Sequence, residues 1–198
     1  MSVGLTTSPT SRESVAPGFL LSATALRKKH QRGIAFAFTS VRKGEGVSHS
    51  VHTLRNQLSQ SLKSKAVVIT GLTLGDLEVE PEHRSLTNSR GTVATWFAGG
   101  AQDAAAVSWL RAEGSFLDRL RDQYDYVLID CGALESSGDV FRIGPYVDGV
   151  VLVVEAGRTD KRKVQAALRT LGTHLGNVAG CILNRRTYPI PRFLYRFL

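Results

Sequence analysis

The sequence predicts an α/β fold, a mostly parallel sheet flanked by helices in three layers. Three observations predict it. Short apolar runs recur along the chain without the apolar-polar alternation of a half-exposed strand. Stretches of helical periodicity separate those runs, as crossover connections between parallel strands require. A chain of 198 residues with 42% hydrophobic content also has enough apolar material for one such domain.

The elements follow in order. Residues 1–18 are rich in Ser, Thr and Pro and lack periodicity, so they read as a flexible leader. The run 33–39 (GIAFAFT) is nearly continuous and apolar, as expected of a strand buried on both faces. From Ser48 to Lys63 the residues Val51, Leu54, Leu58 and Leu62 fall on one helical face. A second buried strand covers 66–70 (AVVIT), and 92–98 is a candidate third, bracketed by Gly91, Gly99 and Gly100. The intervening 71–90, with GDLEVEPEH in its middle, is acidic and irregular. A helix is expected over 104–121, interrupted near Gly114, with Ser115 capping its second part. Strands follow at 126–129 (YVLI) and 149–154 (GVVLVV). A helix then starts at Thr159, with Val164, Ala167, Leu168, Leu171 and Leu175 inward, and 178–183 (VAGCIL) is the last strand. The domain is therefore expected over 19–184, with 185–198 as a basic and aromatic tail.

Composition narrows the class. The N-terminus lacks the basic and apolar regions of a secretory signal, and no apolar run reaches the ~18 residues that cross a bilayer. Cys131 and Cys181 are too few for a disulfide framework, and each falls in an apolar context, which reads as a reduced, cytoplasmic protein. The formal net charge of +8 is unevenly spread. Residues 25–43 carry Arg27, Lys28, Lys29, Arg32, Arg42 and Lys43 with no acid, and 185–198 carry Arg185, Arg186, Arg192 and Arg196 with none. Such patches suit phosphates, anionic lipid or acidic protein surfaces, or are simply solvated.

Chemistry is expected at the carboxyl ends of the strands. The first strand runs into Ser40-Val-Arg-Lys-Gly-Glu-Gly-Val-Ser48, and a helix begins at once. A strand, a glycine-containing loop and a helix N-terminus aim backbone N–H groups at an anion. In a competent loop of this kind a lysine meets the phosphates and a following Ser or Thr binds Mg²⁺. Gly46 and Ser48 fill their places, but the lysine place holds Val47.

Ser40–Ser48 resembles the loop Ser-x-x-Pro-Gly-Glu-Gly-Lys-Ser of the bacterial tyrosine kinases, P-loop ATPase-like proteins that regulate capsular and exopolysaccharide export. Tyr124-Asp-Tyr-Val-Leu-Ile-Asp130 resembles that family's Walker B strand. Further matches follow in order at Asp139, at 147–150 (VDGV), at 153–159 (VVEAGRT) and at 180–184 (GCILN), so the resemblance covers about 25–184. It implies a P-loop NTPase-like fold. It also implies a nucleotide site of Arg42, Lys43, Gly44, Glu45, Gly46, Val47, Ser48 and His49, with Asn184 near the base, and Mg²⁺ at Ser48 and Asp130. The implied partner is a polysaccharide co-polymerase of the inner membrane, with self-association also expected.

The departures point away from catalysis. Besides Val47, the places of the family's Asp-Ala-Asp motif are held by Thr70, Gly71 and Leu72, and the tyrosine-rich tail is reduced to Tyr188 and Tyr195. Phosphoryl transfer depends on positioned charge and metal, so these losses predict a non-catalytic regulator or scaffold with no required cofactor. ATP or ADP with Mg²⁺ would bind only if the site is still competent. The tail residues Arg185, Arg186, Tyr188, Arg192, Phe193, Tyr195 and Arg196 suit a docking surface, for a protein partner or the headgroup zone of a membrane, or they pack back on their own domain. The expected place is cytoplasmic, with peripheral contact at the inner membrane.

Two other readings stay open in the sequence. One is an active ATPase or tyrosine autokinase that uses Arg42 or Lys43 in place of the loop lysine. The other, which the closer resemblance of 115–184 to the kinases disfavours, is a relative of the partitioning and cell-positioning ATPases that binds DNA or membrane, so nucleic acid is not an expected partner. His49 and His52 find no third ligand of helpful spacing and read as surface or loop-packing residues, while Cys131 reads as a small buried hydrophobe.

Overall fold

The computed structural model describes residues 24–25, 27, 32–70, 92–94 and 116–185. The strands are β1 (Ile34–Ser40), β2 (Ala66–Thr70), β3 (Thr92–Ala94), β4 (Tyr126–Asp130), β5 (Gly149–Glu155) and β6 (Val178–Asn184). The helices are α1 (Val47–Ser61), α2 (Phe116–Gln123), α3 (Asp139–Ile143) and α4 (Lys161–Leu175), with one 3-10 turn at Gly144–Tyr146. The strands form a single sheet in the order β3-β2-β4-β1-β5-β6, and every neighbouring pair is parallel.

The three layers follow from the pleat of β1, which is buried along its whole length between β4 and β5. Ile34, Phe36 and Phe38 point to one face and pack with Val51, Leu54 and Leu58 of α1. Ala35 and Ala37 point to the other, where residues of α2, α3 and α4 share one apolar cluster. Among the described residues, large side chains thus meet one helix, and small ones leave room for three. With strands buried on both faces, the sequence shows continuous apolar runs rather than alternation.

At the amino end of the sheet a buried ion pair fastens the layers. Arg121 of α2 donates to Asp148 Oδ2 at 2.7 Å and to the Tyr146 carbonyl at 3.1 Å. The same Asp148 oxygen accepts the Ala35 N–H at 2.8 Å, which joins the starts of β1 and β5. Three cations of the first basic stretch are also tied to acids of the body, Arg27 to Asp125, Arg32 to Asp118 and Arg42 to Glu135. That patch is therefore in part a set of fasteners.

Several expectations change at element ends. Leu62 does not continue the inner face of α1: the helix closes at Ser61, Leu62 is its C-cap, and Lys63 turns to φ 51, which leaves Leu62 42% exposed. Thr159 does not start α4. Asp160 is the N-cap, its side chain accepting the Arg162 N–H at 2.7 Å, and Gly176 at φ 71 ends the helix. Cys181 is exposed rather than apolar in setting, because β6 is the edge strand. Only 92–94 of the third strand is described, and the helix expected over 104–121 is described from Phe116. The break near Gly114, the cap at Ser115, the acidic segment 71–90, the leader and the tail from Arg186 lie outside the described residues.

The Arg121–Asp148 pair gives a stability prediction. Removing one partner strands the other charge in a nearly buried place. Arg121→Met should lower the unfolding free energy by about 3 kcal/mol in urea titration; a change under about 0.5 kcal/mol would show that the pair is dispensable.

Candidate functional site

The site is built at the carboxyl end of β1, where Thr39 and Ser40 are still buried. Thr39 Oγ1 donates to the Gly132 carbonyl at 2.8 Å, and the Leu134 N–H donates to the Ser40 carbonyl at 2.9 Å, so the segment after β4 lies against the start of the loop. The loop then turns through two left-handed glycines, Gly44 at φ 87 and Gly46 at φ 90. The left-handed angle requires glycine at Gly46, and a Cβ there would push the Asn184 amide off its bond to the Glu45 carbonyl.

Glu45 organises this turn. Its carboxylate is buried, with Oε2 accepting the N–H groups of Val41 at 2.9 Å and Arg42 at 3.2 Å. Its Oε1 accepts the Thr159 hydroxyl, and its backbone carbonyl accepts Asn184 Nδ2 at 2.9 Å. One residue therefore joins the ends of β1, β5 and β6. Glu45, expected among the nucleotide-contacting residues, spends its carboxylate on its own loop and on Thr159.

α1 begins directly after Gly46 without a side-chain cap and without an acid in its first turn. The first N–H groups of a helix have no partner within it, and this end is left open to an anion. Val47 is the first helical residue and packs with Phe38, Val51, Val151 and Val153 rather than over the loop. Ser48 is exposed, and its hydroxyl bonds the Asp130 carboxyl at the end of β4. Burial raises the Asp130 carboxyl above the ordinary carboxylate value, opposed by the Ser48 hydroxyl and by the charge of His52 one turn along α1. His49 is exposed.

Both loop cations are exposed, and Glu135 holds the tip of the loop. Arg42 Nε lies 3.9 Å from Glu135 Oε2, and the Lys43 N–H donates to Glu135 Oε1 at 2.8 Å, so the loop tip is held against the segment after β4. Cys131, next to Asp130, is buried, and desolvation with the nearby Asp139 and Asp130 charges drives its thiol well above the ordinary value. It is an inert thiol.

The structure thus brings Arg42 through His49, Asp130 and Asn184 to one place. Arg185 stands at the same end and pairs with Glu155 at 3.1 Å, while Arg186, Tyr188, Arg192, Phe193, Tyr195 and Arg196 lie outside the described residues. Glu135 and Thr159 are the contributors that sequence reading missed. Thr159 stood in a matched motif, but nothing in the order of residues tells that it meets Glu45.

No protein-family model matches the chain. The succinoglycan biosynthesis transport protein ExoP of Rhizobium meliloti (strain 1021) is 35% identical over 74 residues, which is 37% of this chain and 9% of that protein's length. Among solved structures, the VpsO kinase domain aligns over 86% of this chain and 97% of its own, at 22% identity and TM-score 0.56. The kinase domain of Escherichia coli tyrosine kinase ETK aligns over 80% and 71%, at 18% identity and TM-score 0.56. The MinD cell division protein of Aquifex aeolicus aligns over 83% and 73%, at 18% identity and TM-score 0.59. At these identities the structures show the fold, which is P-loop NTPase-like.

Glu45 gives the prediction here. Glu45→Ala removes the acceptor for two loop N–H groups and the Thr159 hydroxyl, and should cost about 2–3 kcal/mol in denaturant unfolding. Glu45→Gln keeps one acceptor oxygen and should cost about half as much. Equal stability of Glu45→Ala and wild type would contradict the role given to this carboxylate.

Proposed function

From a chain related in sequence to an exopolysaccharide-biosynthesis protein, and in fold to bacterial tyrosine-kinase domains, we propose a non-catalytic regulatory or scaffolding subunit of exopolysaccharide synthesis and export. The observation that carries this reading is Val47. At the place where the resembled loop presents a lysine, this chain presents an isopropyl group packed in the core.

The physical argument rests on what phosphoryl transfer needs. The protein supplies little covalent chemistry there, and positioned cations and metal do the work. Losing one well-placed electrostatic contact costs about 10²–10³ in rate. The chain lacks the loop lysine, and Thr70, Gly71 and Leu72 stand where two acids would hold metal and take a proton. These effects act as a unit and do not simply multiply, yet any one of them leaves little activity. Arg42 is a poor substitute, because its guanidinium lies beside Glu135.

What persists is a phosphate-shaped backbone. The loop after β1 and the uncapped start of α1 suit an anion, and Ser48 with Asp130 are the groups that would hold Mg²⁺ beside a bound ATP or ADP. Such a backbone keeps the shape of a nucleotide site without the charge that would hold and turn over a nucleotide. The partner in this reading is the inner-membrane polysaccharide co-polymerase, and the chain works beside it on the cytoplasmic side. Self-association through the same fold belongs to this reading too.

Complementation tests it. In the host that encodes the chain, deletion should change the amount or length of the secreted polysaccharide. Re-expression of Asp130→Asn should restore it to the wild-type level, since a non-catalytic role needs no metal-holding carboxylate there. A folded, wild-type-abundant Asp130→Asn chain that fails to restore the polymer would contradict a non-catalytic role.

A further inference from the structure

A third cationic surface emerges only in the fold. α4 carries Lys161, Arg162, Lys163 and Arg169, and no acid anywhere between 161 and 175. Val164, Ala167, Leu168, Leu171 and Leu175 are turned to the core, so the opposite face is set by helical spacing. Arg162 and Arg169, two turns apart, lie along the middle of that outer face with Ala166 and Thr173, and all four are exposed. Among the described residues none of the four cations of α4 makes an ion pair.

This arrangement is not what folding alone favours. Three cations stand in the first turn of α4, where the positive end of the helix macrodipole repels them and acids would be stabilising. Elsewhere in the domain Arg27, Arg32, Arg42, Arg121, Arg158 and Arg185 have carboxylate partners. α4 gathers four cations without one among the described residues.

The surface beside α4 adds apolar character. In the β5–β6 register Cys181 and Leu183 stand opposite Leu152 and Val154, on the face of the sheet that α4 covers. They lie at its open edge, with Leu183 51% exposed. The chain leaves this edge at Arg185, and the residues after it include Arg186, Arg192 and Arg196 with no acid.

We infer that the outer face of α4, with the neighbouring edge of β6, is a docking surface for an anionic lipid bilayer. A broad, acid-free face with small residues between its arginines fits a plane of diffuse negative charge. A shaped acidic peptide would instead call for a groove with anchoring pockets. Each cation near an anionic surface adds attraction that falls within a Debye length, and Leu183 adds an apolar contact at the headgroup boundary. The inference stands on this surface alone and does not depend on whether the nucleotide site is competent.

The test is co-sedimentation of the full chain with vesicles of phosphatidylcholine, alone or mixed with phosphatidylglycerol. Wild type should bind the mixed vesicles, not the neutral ones, and should be released by salt. The double variant Arg162→Glu/Arg169→Glu should bind about tenfold or more weakly at an unchanged melting temperature, and Arg162→Gln/Arg169→Gln should lose less. Three results would overturn the inference: no binding to phosphatidylglycerol vesicles, equal binding to neutral ones, or full binding by both folded variants. Binding of DNA or an acidic polypeptide without vesicle binding would overturn it as well.

Discussion

The carboxyl edge of this domain is organised by one buried carboxylate. Placing a charged group where Glu45 sits is costly unless its oxygens are satisfied, and here backbone N–H groups and a hydroxyl satisfy them. The bonds also carry geometry. Val41 and Arg42 belong to the loop after β1, Thr159 to the loop after β5, and Asn184 to the end of β6. A loop that must curve through two left-handed glycines is thereby given a fixed shape without a bound anion. Glu45 is thus a structural part of a site whose outward donors stay available.

The sheet shows a division between its two ends. At the amino end Arg121, Asp148 and the Ala35 N–H are bonded to one another, as suits pure structure. At the carboxyl end donors and charges remain in excess: an uncapped helix start, an exposed serine beside Asp130, and the cations of 161–163. Open α/β sheets place ligands at this end, and the unspent polarity is the local expression of that rule. Val47 is the discordant residue. It strengthens the core exactly where a charge would serve a phosphate, so stability and phosphate chemistry make opposite demands on one position.

Much of this was legible in the sequence. Buried parallel strands cannot alternate, so β1, β2, β4 and β5 were visible as apolar runs, and the inner face of α4 as a helical stripe. The loop was marked by its place between a strand and a helix, and Asp130 and Asn184 only by the resemblance of their motifs to those of the bacterial tyrosine kinases. What could not be read were facts of pairing across distance: that Glu135 would take the tip of the loop, that Thr159 would meet Glu45, or that Arg27 and Arg32 would find Asp125 and Asp118. The edge position of β6 was also hidden, because VAGCIL has the composition of a central strand and only the sheet order leaves Cys181 and Leu183 exposed. Leu62 failed for a local reason, since periodicity continues in the sequence after the backbone has already turned at Lys63.

The central claim is that Val47 has converted a phosphate-transfer loop into a shaped but non-catalytic one. Calorimetric titration of Mg²⁺-ATP and Mg²⁺-ADP into the wild type and Val47→Lys tests it most directly. The account predicts no saturable heat for wild type at millimolar nucleotide. For Val47→Lys it predicts a gain of about tenfold or more in affinity, as a lysine at this helix start reaches the phosphates. Micromolar binding by the wild type, abolished by Arg42→Ala or Lys43→Ala, would contradict it and make the loop cations the true replacement for the lysine.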